Sequence, residues 1–373
     1  MRNLLVGNGL NCQFDKKSYT AQQIVLRILK NCNRNDFPTE IIVDRPYLLK
    51  VYLSRLFFKA RELLMGEFDD YTVCSEVKDS LDSFKENYSS KLKHLKMTDI
   101  CFEDYFLLHD LACHSISVGN PDQRTIRECM RVAYLFAIYN DGQLNELHLK
   151  YPHSFLDYLL SFDQIFTTNY DTNIENATGK QVVHLHGQFD RFSDVYNESS
   201  LRNKLEDAPL NDIVIDPNYS YLYCNAITTH SGAYKEAMIH QNSKVNKFIE
   251  DMAEKYKTDQ DTQKQIDLWM TVDDKLLINT ANAIMVKAEH PEYGLVDDYH
   301  FDSFENISGE LEILGLSPWN DFHIFRAIDE SRIEKCIYYY YSEDSRDKIV
   351  ELLPKISKEK CLQFKSAHEF WGE

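Results

Sequence analysis

Hydrophobic and polar positions alternate between two textures along the 373 residues. Asn3–Val6 is a short apolar run that stops at Gly7-Asn8-Gly9, the pattern of a buried strand closed by a turn. The following stretch reads as helix after helix. In Pro46–Met65 the residues Leu49, Leu53, Leu56, Phe57, Ala60 and Leu64 share one face, with Lys50, Arg55, Lys59 and Arg61 elsewhere, and Pro46 suits the first turn. Similar periods predict helices over 20–32, 74–90, 99–117, 124–149 and 153–161.

The texture changes at Gln164. Gln164–Thr168 and Gln181–His186 are strand-like, separated by the polar turn Asn169–Asn173, and Glu310–Leu314, Glu334–Tyr341 and Cys361–Phe364 are three further strands. Helices are predicted over Asp321–Ile328 and Ser345–Leu353, and Tyr338–Tyr341 reads as a strand buried on both faces. Strands alternating with helices give an α/β fold, a doubly wound and mainly parallel sheet. It is read as a single domain over 1–373 with large helical insertions at about 16–160 and 190–305, and Asn211–Tyr219, flanked by Pro209 and containing Pro217, as the loop into the second.

Composition narrows the function classes. The nine cysteines form no C-x-x-C pair, which leaves no zinc ribbon and points to a reducing compartment. The apolar start is too short for a signal-peptide core, and no run approaches the roughly 18 apolar residues of a membrane span, so a cytoplasmic protein without membrane contact is expected. A formal net charge of −18 argues against direct nucleic-acid binding.

Ligands of open parallel sheets bind beyond the carboxyl ends of the strands. Three loops there carry chemistry. In Gly7-Asn8-Gly9-Leu10-Asn11 the glycines let backbone approach a phosphate and the following N–H groups can form an anion nest, although Asn-Gly is equally a plain turn. In Thr167-Thr168-Asn169-Tyr170-Asp171, Asn169 offers donors and an acceptor to a hydroxyl or a water and Asp171 can orient it; simple helix capping is the alternative. In His184-Leu185-His186-Gly187 the two imidazoles share a face of a regular strand, and His186 at its end can act as a base. A structural histidine pair, or a metal site completed by His230, His240 or Asp190, competes with that reading.

In these motifs the chain resembles the sirtuin superfamily. The matching features are the N-terminal glycine loop, the Thr-x-Asn-x-Asp turn, the strand ending His186-Gly187, and a late Gly315-Leu316-Ser317 followed by Asn320 and Asp321. The resemblance covers residues 1–15, 160–190 and 310–370. It implies a Rossmann-like domain that takes NAD as substrate with no metal: Gly7 and Gly9 facing the diphosphate, Asn169 and Asp171 the nicotinamide ribose, His186 as catalytic imidazole, Gly315 and Ser317 on the adenosine side, and Asn8, Asn11 and Thr168 completing the cofactor-binding set. The four-cysteine zinc module of the deacetylase members and their nicotinamide-holding Pro-Asp-Phe-Arg segment are both missing. Those departures resemble the bacterial anti-phage sirtuin-like NAD hydrolases, and the Gly-Asn-Gly opening and late Gly-x-Ser also resemble abortive-infection proteins of the AbiH type. The resemblance implies hydrolysis of NAD to nicotinamide and ADP-ribose, a HerA-type ring ATPase or other phage-sensing partner, and a homo-oligomer. The rival expectations are a non-catalytic nucleotide-binding subunit of a defence complex and an NAD-dependent deacylase.

Overall fold

The computed structural model describes residues 1–16, 18–69, 74–116, 120–205, 215–319, 321–359 and 361–372. Six strands form one all-parallel sheet: β1 (Arg2–Val6), β2 (Gln164–Thr167), β3 (Val182–His184), β4 (Ser308–Leu314), β5 (Arg332–Tyr340) and β6 (Leu362–Ser366), in the order β3-β2-β1-β4-β5-β6. This is the strand order of a doubly wound Rossmann-like sheet, whose direction of winding reverses between β1 and β4. Residues of one strand serve two cores, as the two-residue repeat demands. Leu4 and Val6 pack with Phe155, Leu159, Phe162 and Ile165 on one face. Leu5 packs with Phe166, Phe304, Ile313 and Ile324 on the other.

The first connection, from β1 to β2, contains α1 (Gly9–Phe14), α2 (Ala21–Asn31), α3 (Pro46–Leu64), α4 (Ser75–Tyr88), α5 (Asp104–Ile116), α6 (Asn120–Tyr139) and α7 (His153–Leu160). The apolar faces of α2–α6 make a core of their own, which reaches the sheet through Tyr170 and Phe189, whereas α7 packs on the sheet itself. The helix expected over 124–149 ends at Tyr139, because Asn140, Asp141 and Gly142 all take positive φ and a 3-10 segment follows. After β2 comes α8 (Asn173–Thr178).

The second long connection, from β3 to β4, carries α9 (Arg202–Leu205), α10 (Gly232–Thr258), α11 (Gln260–Trp269), α12 (Lys275–Glu289) and α13 (Phe301–Glu305). Part of the loop expected over Asn211–Tyr219, with Pro209, lies outside the described residues, and its end at Pro217–Tyr223 is a 3-10 helix. The chain closes through α14 (Phe322–Glu330), α15 (Glu343–Leu352), α16 (Pro354–Lys358) and α17 (Ala367–Trp371) around β5 and β6. Of the four tyrosines, Tyr338 and Tyr339 are buried and Tyr341 is exposed, so the two-faced burial stops one residue short of the strand end. Among the described residues no helix is long and apolar enough to cross a membrane.

Register fixes where the loops emerge. His184, Thr167, Val6 and Leu314 lie side by side in one row across β3, β2, β1 and β4. The segments that begin at Leu185, Thr168, Gly7 and Gly315 therefore leave the sheet at the same level, next to the reversal of strand order.

Candidate active site

The loops after β1 and β4 are in backbone contact. Gly7 N donates to Leu314 O at 2.9 Å, and Gly9 N to Gly315 O at 2.8 Å. A Cβ on Gly9 would sit 2.6 Å from Gly315 Cα, and one on Gly315, at φ +72°, 2.7 Å from Leu10 N. These glycines therefore allow two main chains to touch. The N–H groups expected to form an anion nest are largely engaged: besides Gly7 and Gly9, Leu10 N donates to Gly7 O and Cys12 N to Asn8 O, each at 3.0 Å. Ser317 is exposed, and its Oγ accepts weakly from Trp319 N at 3.4 Å. Asn320 lies outside the described residues.

Beside this lock, six of the ten residues singled out in the sequence line one cavity: Asn8, Asn11, Thr168, Asn169, Asp171 and His186. Gly7, Gly9, Gly315 and Ser317 are not among its lining residues. Its volume is about 130 Å³, room for one ring-sized group. The first insertion supplies the apolar wall with Ile24, Phe102, Ile138 and Leu144, and Asp321, the N-cap residue of α14, lines it too.

Asp171 anchors the polar wall. Its Oδ2 accepts from Asn11 Nδ2 at 2.7 Å, and its Oδ1 from Asn173 Nδ2 at 2.6 Å and Asn173 N at 3.1 Å. Burial raises its pKa, and the Asn11 and Asn173 donors pull against that rise. Asn11 is only 3% exposed, and its Oδ1 is buried without a hydrogen-bond partner. Asn169 is held through its backbone, with Asn169 N donating to Thr167 Oγ1 at 3.0 Å, while its side-chain Nδ2 reaches Gly7 O only at 3.4 Å.

The two histidines of His184-Leu185-His186 separate, because β3 ends at His184 and Gly187 takes φ +84°. His184 has a structural role: Nδ1 meets Asn169 O at 2.9 Å and Nε2 meets Glu175 Oε1 at 2.7 Å. Burial disfavours its charge, but Glu175, the Asn169 carbonyl and Asp171 together outweigh burial and raise its pKa.

His186 faces another set of groups. Its Nε2 lies 2.9 Å from His323 Nε2, and its Nδ1 3.4 Å from Lys235 Nζ. Lys235, from α10, is 1% exposed and is held by Glu103 at 3.1 Å to each carboxylate oxygen and by Asp321 Oδ1 at 3.6 Å. Tyr170 also donates to Glu103 at 3.1 Å. Burial, the Lys235 charge and the neighbouring imidazole hold His186 well below the ordinary histidine pKa, and burial with Lys235 does the same to His323. Burial and the nearby ammonium thus favour the neutral form of both imidazoles.

His186, Asp321 and His323 each bring a ligand atom within 4.8 Å of the others, the donor types of a divalent-metal site. The fixed ammonium of Lys235 against two of the three opposes a second cation there. His230 and His240, considered as partners for the His-x-His pair, lie elsewhere: His240 pairs with Glu305 at 3.6 Å, and His230 lines a separate pocket with Arg131 and Thr228.

Sequence reasoning missed Glu103, Lys235 and His323, and mentioned Asp321 only as a neighbour of the late Gly-x-Ser. One signal was present: Lys235 lies four residues before the buried Ile239 on the inward stripe of α10. Comparison of the chain with protein-family models, with curated proteins and with solved structures returns no match.

Proposed function

We propose that the chain hydrolyses the nicotinamide–ribose bond of NAD in this cavity, giving nicotinamide and ADP-ribose. The observation that carries the reading is the meeting of Asn169, Asp171 and His186 around one ring-sized cavity beside the β1/β4 reversal. Nicotinamide in NAD is a cationic leaving group that departs neutral, while positive charge passes to the ribose. A site for that step needs negative potential and little bulk water rather than a strong acid. Glu103, Asp171 and Asp321 supply carboxyl groups, and no arginine or lysine is among the lining residues. The diphosphate would then lie outside the enclosed part, because the glycine-loop donors are already bonded.

In this reading the side chain of Asn169, which is only weakly held, orients the ribose hydroxyls or the attacking water. Asp171 fixes Asn11, whose unpartnered Oδ1 accepts a donor from the ligand. His186 closes the cavity next to the reacting bond. Depletion of NAD in anti-phage defence, triggered by a ring ATPase or another sensing partner, is the biological role proposed with it.

The test is NAD loss and ADP-ribose formation by the purified chain, alone and with proteins of neighbouring genes. Asn169→Ala should lower turnover by at least about 10²-fold, and His186→Ala, which opens the cavity wall, should lower it as well. Full hydrolysis by both variants, in a preparation where the wild type is active, would overturn the assignment. NAD binding without turnover under every triggering condition would make the chain a nucleotide-binding subunit.

A further inference from the structure

We propose that Asp321, rather than His186, takes the proton from the attacking water, an inference that rests on the hydrolytic reading above. A base needs a lone pair free to face the substrate. Lysine has donors only, so Lys235 opposite Nδ1 makes that nitrogen of His186 the acceptor. The hydrogen of the neutral ring is then on Nε2 and is donated to His323 Nε2 at 2.9 Å. Nε2 of His186 is thereby occupied, and Nδ1 faces the Lys235 ammonium rather than the cavity's open space for a water proton.

The carboxyl groups of the cavity are distinguished in the same way. Asp171 has donors on both oxygens. Glu103 holds Lys235 with both and Tyr170 with one. Asp321 turns Oδ1 towards Lys235, makes no side-chain cap to its own helix, and among the described residues has no hydrogen bond to Oδ2. It lines the cavity with Asn169.

The groups facing Asp321 are Lys235 from α10, Glu103 ahead of α5, His186 after β3 and the Tyr170 hydroxyl after β2. Burial raises the Asp321 carboxyl and Lys235 restrains it, leaving it at about 6. That suits a base at neutral pH, whereas burial and the Lys235 charge hold the imidazole beside it well below the ordinary histidine range.

In the step, a water O–H bond breaks and its proton goes to Asp321 Oδ2. The water oxygen bonds to the anomeric carbon, and the C–N bond breaks with its electron pair going to nicotinamide. The sum is NAD⁺ and water giving nicotinamide, ADP-ribose and one proton, which leaves Asp321 for solvent before the next turnover.

The experiment is the pH profile of kcat/KM for wild type, Asp321→Asn, Asp321→Ala and His186→Gln, with NAD affinity and thermal midpoint measured in parallel. Asp321→Asn should lower kcat by about 10²–10⁴-fold with NAD binding retained, and should lose the acidic limb of the profile. Formate should restore part of the Asp321→Ala rate, and His186→Gln should keep the limb. If Asp321→Asn does not fold, Asp321→Glu serves, expected to keep an acidic limb at a lower rate. An acidic limb that survives in Asp321→Asn, or that vanishes in His186→Gln, overturns the proposal while leaving NAD hydrolysis standing. A wild type that hydrolyses no NAD under any condition overturns both.

Discussion

Lys235→Met is the sharpest test of how the site is held together. The substitution keeps most of the buried stem and removes the ammonium, leaving Glu103 and Asp321 facing one another without a cation. Breaking a buried pair by removing one partner costs about 3–5 kcal/mol, because the remaining charge stays desolvated. At pH 8 the loss in unfolding free energy should fall in that range.

The sign of its pH dependence comes from the same picture. In the variant, Asp321 loses the ammonium that restrains it and binds its proton at a higher pH than in wild type, where burial and Lys235 leave it at about 6. Stability relative to wild type must therefore rise as pH falls from 8 towards 6, by up to about 1.4 kcal/mol per unit. Urea unfolding of both proteins at pH 8 and pH 5.5, followed by tryptophan fluorescence, measures the gap at each pH. The triple variant Lys235→Met, Glu103→Gln, Asp321→Asn should recover most of the loss, since an apolar or neutral replacement of a whole buried ion cluster is often harmless. A pH 8 cost below about 1 kcal/mol, or a gap that does not narrow at pH 5.5, refutes the argument that these charges are paired and dry.

Two further outcomes rest on the same geometry. Gly315→Ala should destabilise by more than Gly179→Ala in denaturant unfolding: both positions have positive φ, but a Cβ at 315 meets Leu10 N at 2.7 Å whereas one at 179 meets nothing within 4 Å. The open position should cost about 1 kcal/mol and the crowded one about 2–4. His323→Gln should show a smaller loss of stability than wild type on acidification. Native His323 stays neutral well below the ordinary histidine range while the unfolded residue gains a proton below about pH 6.5, so wild type loses up to about 1.4 kcal/mol per pH unit there that the variant does not. Parallel slopes for the two proteins between pH 6.5 and 5 would contradict a neutral, buried imidazole at this position.

The sheet was legible because its strands are short apolar runs buried on both faces. Leu4–Val6, Ile165–Phe166 and Ile313–Leu314 differ in this from the amphipathic helices around them. Element ends were harder. The apolar period of α6 continues into Leu144 and Leu147, which are buried, so periodicity alone carries the helix through a break that Asn140–Gly142 impose by their backbone. The strand ending at His184 was extended to His186 for a similar reason: Leu185 is buried and its N–H still donates to Thr167 O at 2.9 Å, although the chain is already turning towards Gly187.

Within the site, Asn169, Asp171 and His186 could be read from sequence because each comes directly after a strand, and parallel strands in register bring their C-terminal loops to one place. Glu103 and Lys235 have no such rule: they meet His186 and Asp321 only through the docking of segments that are distant in the chain. His323 stands two residues after Asp321 in the first turn of α14, with no motif to mark it. A lysine on an apolar stripe announces that some carboxylate waits for it, but not which one.

That division of labour defines how the cavity is assembled. The sheet contributes the groups with hydrogen-bonding roles, Asn169 and the Asp171–Asn11 pair. The insertions contribute charge: Glu103 comes from the first and Lys235 from the second, and both meet at the wall formed by His186 and Asp321. The buried ammonium therefore ties three parts of the chain at one point, and it sets both the tautomer of His186 and the charge balance of Asp321. A shift of α10 away from the sheet would at once free a lone pair on His186, release Glu103 and raise Asp321 further. The chemistry open to the cavity is thus a function of how the helical insertions sit, and coupling between their docking and the state of these two side chains runs through the contacts of one buried ammonium.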